Sequence, residues 1–144
     1  MSATQTRPAL LQPHDLNLLA ELGLAKGVLA SRSLLDLEDD WDDRGSPGYA
    51  ESTWLRAVDL LMRWADDLRS RYATHLSTAD VVPGSAGHIG LELRTDRKRL
   101  LLSVPPVPDV SVRYYGHDAT KTTTTKGTLD LTLPNDWLLA WLAE

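Results

Sequence analysis

Residues 87–104 read GHIGLELRTDRKRLLLSV, and the alternation within them decides the fold. Ile89, Leu91 and Leu93 alternate with Gly90, Glu92 and Arg94, a polar turn follows at 95–98, and Leu100, Leu102 and Val104 alternate again. Successive side chains of a strand point to opposite faces, so this stretch predicts an antiparallel hairpin with one apolar face. Pro105, Pro106 and Pro108 end the second strand by removing ladder donors. Val110, Val112 and Tyr114 open a third strand, and Leu129, Leu131 and Leu133 mark a fourth. Between them the threonine-rich residues 119–126 read as a mobile loop, although threonine favours extended backbone.

Upstream of the hairpin the period is helical. Trp54, Val58, Leu61, Ala65, Leu68 and Tyr72 recur at spacings of four and three, with Ser46 as the expected cap and Pro47 at the expected first helical position. Arg56, Asp59, Arg63, Asp66 and Arg69 populate the polar side, and Trp64 falls off the apolar stripe. An earlier helix starts with Asp15 as its cap and carries Leu16, Leu19 and Leu22. Gly23 and Gly27 then predict a bend or interruption before Leu34, Leu35 and Leu37. A last short helix over 136–143 brings Trp137, Leu138, Trp141 and Leu142 back to the core. The expected class is α+β: two N-terminal helices packed on one face of an antiparallel sheet of about four strands, with a short C-terminal helix. Residues 1–13 read as a flexible tail and 14–144 as a single domain.

Composition narrows the function classes. A chain of 144 residues with 42% hydrophobic and 24% charged residues is long enough for one core and too apolar for wholesale disorder. With no cysteine, thiol nucleophiles, Cys-ligated zinc and disulfides are excluded, and a cytoplasmic setting is the default expectation. A net charge of −5 argues against general nucleic-acid binding, which rests on neutralising phosphates. No stretch has the apolar length of a membrane span or a signal peptide.

The acidic run Asp36, Glu38, Asp39, Asp40, Asp42, Asp43 surrounds Trp41 and leads into Arg44, Gly45, Ser46 and Pro47. With Asp40 at position 1 of a calcium loop, Asp42, Gly45 and Glu51 fall at positions 3, 6 and 12. Arg44 and Pro47, however, occupy positions 5 and 8, where a ligand and an apolar residue belong. The favoured reading keeps the carboxylates in water or on backbone amides, uses Gly45 for a tight turn, and folds Trp41 into the helix-to-sheet seam. A buried ring there would cost about 3 kcal/mol on truncation to Ala. His14, His75, His88 and His117 include no pair at zinc-binding spacing. His88, Glu92 and Arg94 share one strand face and are the candidate ligand-binding row, against the plainer reading of a solvated sheet face. Gly84, Ser85, Ala86 and Gly87 form a turn without the lysine of a phosphate loop, and no serine-hydrolase elbow is present. Arg94, Arg97, Lys98 and Arg99 read as charges guarding a hairpin against edge-to-edge pairing.

The segment Trp41-Asp42-Asp43-Arg44-Gly45, a proline-started helix and the strand Gly87-His88-Ile89-Gly90-Leu91-Glu92 together resemble a widespread set of small bacterial proteins of uncharacterised function. In that set Trp often follows the glutamate, whereas this chain has Leu93. The resemblance implies a bacterial cytoplasmic origin and a small α+β fold, and it carries no activity onto any residue.

Without a nucleophile, metal cluster or phosphate loop, the leading expectation is a non-enzymatic protein-interaction module of bacterial or phage origin. An accessory or neutralising partner in a two-component system is one such role. It would bind through an exposed sheet edge or the acidic loop, with Asp39, Asp40, Asp42, Asp43 and Arg44 as interaction residues. The alternative is a small-ligand or metal-binding protein using the acidic loop or the His88 face. No cofactor is expected, and aromatic surface on the last helix is compatible with a homo-oligomer.

Overall fold

A computed structural model describes residues 11–130 and 135–144. Helix α1 (Pro13–Leu22) is followed by α2 (Ala25–Ala30), a 3₁₀ segment (Ser31–Asp36), the long helix α3 (Glu51–Tyr72), strands β1 (Thr78–Pro83), β2 (Ile89–Arg94), β3 (Lys98–Val104), β4 (Val112–Asp118) and β5 (Thr123–Leu129), and helix α4 (Asp136–Ala143). The strands form one antiparallel sheet in the order β1-β2-β3-β4-β5. The class is α+β as expected, with five strands in place of four.

Helix α3 organises the core. Trp54, Val58, Leu61, Ala65 and Leu68 are buried as the stripe predicts, but so are Leu60, Met62 and Trp64 on other sides of the helix. Trp64 therefore belongs to the core and not to the surface. One side of α3 lies on β2 and its neighbours β1 and β3, while α1 and α4 pack against the remainder. On the sheet, Leu91, Leu93, Leu100 and Leu102 face this layer and are fully buried. The β4–β5 end is covered by α4: Trp141 sits over Gly116, where an added Cβ would meet its ring at 2.7 Å. Trp137 makes an edge contact with Tyr114 at 5.7 Å between ring centroids. Among the described residues, the helices that cover the sheet do so on this one face.

Several boundaries differ from the sequence expectation. Asp15 is the third helical residue of α1, not its cap; it accepts the Gln12 N–H at 3.0 Å, and Pro13 opens the helix. The interruption predicted at Gly23 is present, with φ of 75°. Helix α3 begins at Glu51, not at Pro47, because residues 46 and 47 are committed to the acidic loop. The Ser46 hydroxyl donates to Asp42 at 2.5 Å, and the Pro47 carbonyl accepts the Trp41 indole at 3.1 Å. Trp41 does not plug the seam; it is 37% exposed and lies against Tyr49. Trp54 is fully buried instead; its Nε1 donates to Ser31 Oγ at 2.8 Å, while that hydroxyl donates to the Val28 carbonyl.

Strand β1 was not expected. Its Val81 and Val82 sit together without alternation between Asp80 and Pro83. Residues 123–126 of the threonine-rich segment are paired strand, joined to β4 by a turn in which Asp118 accepts the N–H groups of Thr120 and Lys121. Val110 lies outside β4 and is exposed. Leu131 and Leu133, expected in the last strand, and residues 1–10 of the expected tail lie outside the described residues. Leu11, next along, packs against the core.

Trp54 and Trp41 should separate cleanly in urea unfolding. Trp54→Ala is expected to destabilise by about 4 kcal/mol through cavity formation and loss of the indole-to-Ser31 hydrogen bond, and Trp41→Ala by about 1 kcal/mol. Equal losses would contradict the assigned burial.

Candidate interaction surface

The acidic loop spends three of its carboxylates on itself. Asp39 accepts the Gly48 N–H at 2.9 Å, Asp40 accepts the Gly45 N–H at 2.7 Å, and Asp42 accepts the N–H groups of Arg44 and Ser46 as well as the Ser46 hydroxyl. The Ser46 hydroxyl, followed by the backbone donors, holds the Asp42 carboxyl below the usual carboxylate range. Asp40 and Asp43 both have positive φ, a conformation that short side chains with local hydrogen bonds tolerate. Asp43 and Arg44 remain exposed. Among the described residues no three His, Asp or Glu side chains are grouped as a metal site requires.

The candidate row on β2 does not converge. Glu92 receives the Arg99 guanidinium at 2.8 Å and that of Arg94 at 3.7 Å. His88 lies four residues up the chain, roughly 13 Å at strand rise, with its Nδ1 3.1 Å from the Ser85 carbonyl. Glu92 and Arg94 come together; His88 belongs to the preceding turn.

The four cations of the β2–β3 turn also have separate internal tasks, and β2 and β3 are not edge strands, so the guarding role does not apply. Arg99 and Arg94 meet Glu92, and Arg97 donates to the Glu144 carbonyl at 2.6 Å. Lys98 is 4% exposed; its ammonium donates to the Trp141 carbonyl and to the Glu144 carboxylate at 2.9 Å, lies 3.9 Å from Asp118, and sits over the Trp141 ring. A cation is thus placed at the last turn of α4, where unpaired carbonyls favour it. Glu144 is held below the usual carboxylate range chiefly by the Lys98 hydrogen bond, and Asp118 chiefly by the Lys121 N–H.

The sheet face opposite the helices is different in character. From the register, one row across it runs Asp80, Glu92, Leu101, Tyr115, Lys126, and the next runs Val82, Gly90, Ser103, Arg113, Thr128. Val82, Leu101, Tyr115, Arg113 and Lys126 line an open groove of about 710 Å³. Tyr115 is 46% exposed, and Leu101 and Val82 are half-buried on the face opposite the described helices. Gly90 keeps the groove floor low, since an added Cβ would come within 2.9 Å of Val82. The sequence carried a signal for this face: the doublets Val81–Val82 and Tyr114–Tyr115 and the triplet Leu100–Leu102 each exceed what one buried face can take. One apolar side chain from each must point outward.

No family model, curated protein or solved structure matches this chain. Among the described residues no helix is long and apolar enough to cross a membrane.

Lys98→Met should destabilise by about 2 kcal/mol, the scale of a lost buried charge-assisted hydrogen bond to the Trp141 carbonyl. Acid should act on the same contact. The folded-state pKa values of Asp118 and Glu144 are depressed, so their stabilisation is complete above the ordinary carboxylate range and is lost as pH falls below about 4 through the folded values. An NMR carboxyl titration should show both groups protonating below free Asp and Glu, with Trp141 signals changing in step. Ordinary titration of both would contradict this arrangement.

Proposed function

We propose that this chain is a non-enzymatic protein-interaction module whose partner sits on the open sheet face at its β3–β5 side. The observation that supports it is the apolar groove of Val82, Leu101 and Tyr115, left uncovered by the described residues while the opposite sheet face is buried under helices. A water-facing side of an antiparallel sheet is ordinarily polar, as Asp80, Glu92, Ser103 and Thr128 are here, and the three apolar side chains depart from that pattern. Arg113 and Lys126 flank the groove and pair with no carboxylate among the described residues, so they are available to a partner. The acidic loop is the weaker surface, because three of its aspartates already hold backbone amides. The proposal extends to an accessory or neutralising role in a bacterial or phage two-component system and to a cytoplasmic setting, with which the absence of cysteine is compatible.

A small apolar or anionic ligand is the second reading, favoured by a groove volume within the range of ligand sites. The two separate in one experiment. The tagged protein, Leu101→Asp/Tyr115→Ala and Asp43→Asn/Arg44→Ala are each used to capture partners from host lysate with nuclease present. Loss of a stoichiometric protein partner in the first variant alone is the expected result. Loss in the second alone would move the interface to the acidic loop, and capture of nothing by any form would reject the interaction reading.

A further inference from the structure

The edge of the sheet beside the groove carries its own recognition chemistry. The two terminal strands are unlike. β1 ends in Pro83 and is packed by α2 and the 3₁₀ segment, whereas β5 has no strand beyond it among the described residues and pairs with β4 without a bulge over all seven residues. β5 contains no proline, and four of its seven residues are threonine. Exposed edges are ordinarily blunted by prolines, bulges or several charges, and this strand carries one charge, Lys126.

Resting on the interaction reading above, we infer that β5 accepts an extended segment of another protein as a sixth strand, in which acidic side chains alternate with apolar ones. The alternation follows from the two faces of β5. On the groove side an added strand would meet Thr124, Lys126 and Thr128, with Arg113, which has no carboxylate partner among the described residues, one strand further in. Acidic side chains belong there. On the helix side it would meet Thr125, Gly127 and Leu129, and beyond Gly127 lie Tyr114 and Trp137. Trp137 is 53% exposed, and an apolar side chain from an added strand would cover it. A second copy of this chain is the poorer occupant. Antiparallel pairing of all seven residues with itself places Lys126 directly opposite its counterpart, and like charges in that position are destabilising.

The test uses an end-capped octapeptide of alternating Val and Glu, the corresponding Val/Lys peptide, and two N-methylated forms of the Val/Glu peptide, one methylated at every Val nitrogen and one at every Glu nitrogen. Binding to the full chain is followed by fluorescence anisotropy and by amide exchange. Donors of alternate residues point to opposite edges of a strand, so one N-methylated form should lose binding and the other keep it. The Val/Lys peptide should bind at least tenfold more weakly, Lys126→Glu should reverse that preference, and new protection should appear at residues 123–129. No binding of the Val/Glu peptide, equal binding of both methylated forms, or protection confined elsewhere would each overturn strand addition. Partner capture that depends on Leu101 and Tyr115 alongside any of those results would leave the interaction module standing and remove only this mode of docking.

Discussion

Helix α3 is buried on several sides at once, and covering it is the constraint from which the rest of the architecture follows. A helix with a single apolar stripe can rest on a sheet and show its back to water. With Trp54, Leu60, Met62 and Trp64 all inside, α3 needs the sheet beneath it and α1 and α4 around it. That requirement draws the helices to one side of the sheet. The opposite side is left to be covered by its own side chains, and there Leu101, Tyr115 and Val82 are apolar.

Charges that look like surface chemistry in the sequence serve this assembly instead. Lys98 is buried at the end of α4 and ties the last helix to β3, with Asp118 nearby holding the β4–β5 turn. The aspartates of the acidic loop replace the backbone hydrogen bonds that an irregular chain between the 3₁₀ segment and α3 would otherwise lack. Arg113 and Lys126 are without a carboxylate partner among the described residues and lie beside the groove, on strands remote from the acidic loop in sequence. A chain with an overall charge of −5 can therefore present a locally cationic edge.

Period and spacing made the central hairpin, the α3 stripe, the break at Gly23 and the last helix legible before any coordinates. Features set by tertiary context were not. The cap at Ser46 failed because Asp42 competes for the same hydroxyl. β1 and β5 are terminal strands with one neighbour each, so their sequences need little apolar alternation. Trp41 and Trp54 are indistinguishable as letters, and only the Ser31 hydroxyl and the surrounding core decide which ring is inside. For the site, spacing along one strand groups His88, Glu92 and Arg94 but cannot show that Arg99 from the neighbouring strand engages Glu92. The apolar doublets held the useful signal, but which member of each faces outward depends on cross-strand register.

The apolar patch of Val82, Leu101 and Tyr115, open among the described residues, is the claim on which the functional account turns. Solvent paramagnetic relaxation of side-chain NMR signals in the free protein, at low concentration, addresses it most directly. The account predicts strong relaxation of the Leu101 and Val82 methyls and the Tyr115 ring, beside near-complete protection of Leu91 and Leu102 on the opposite face. Protection of Leu101 and Val82 equal to that of Leu102 would mean that the face is already covered in the free chain and would contradict its role as a docking surface.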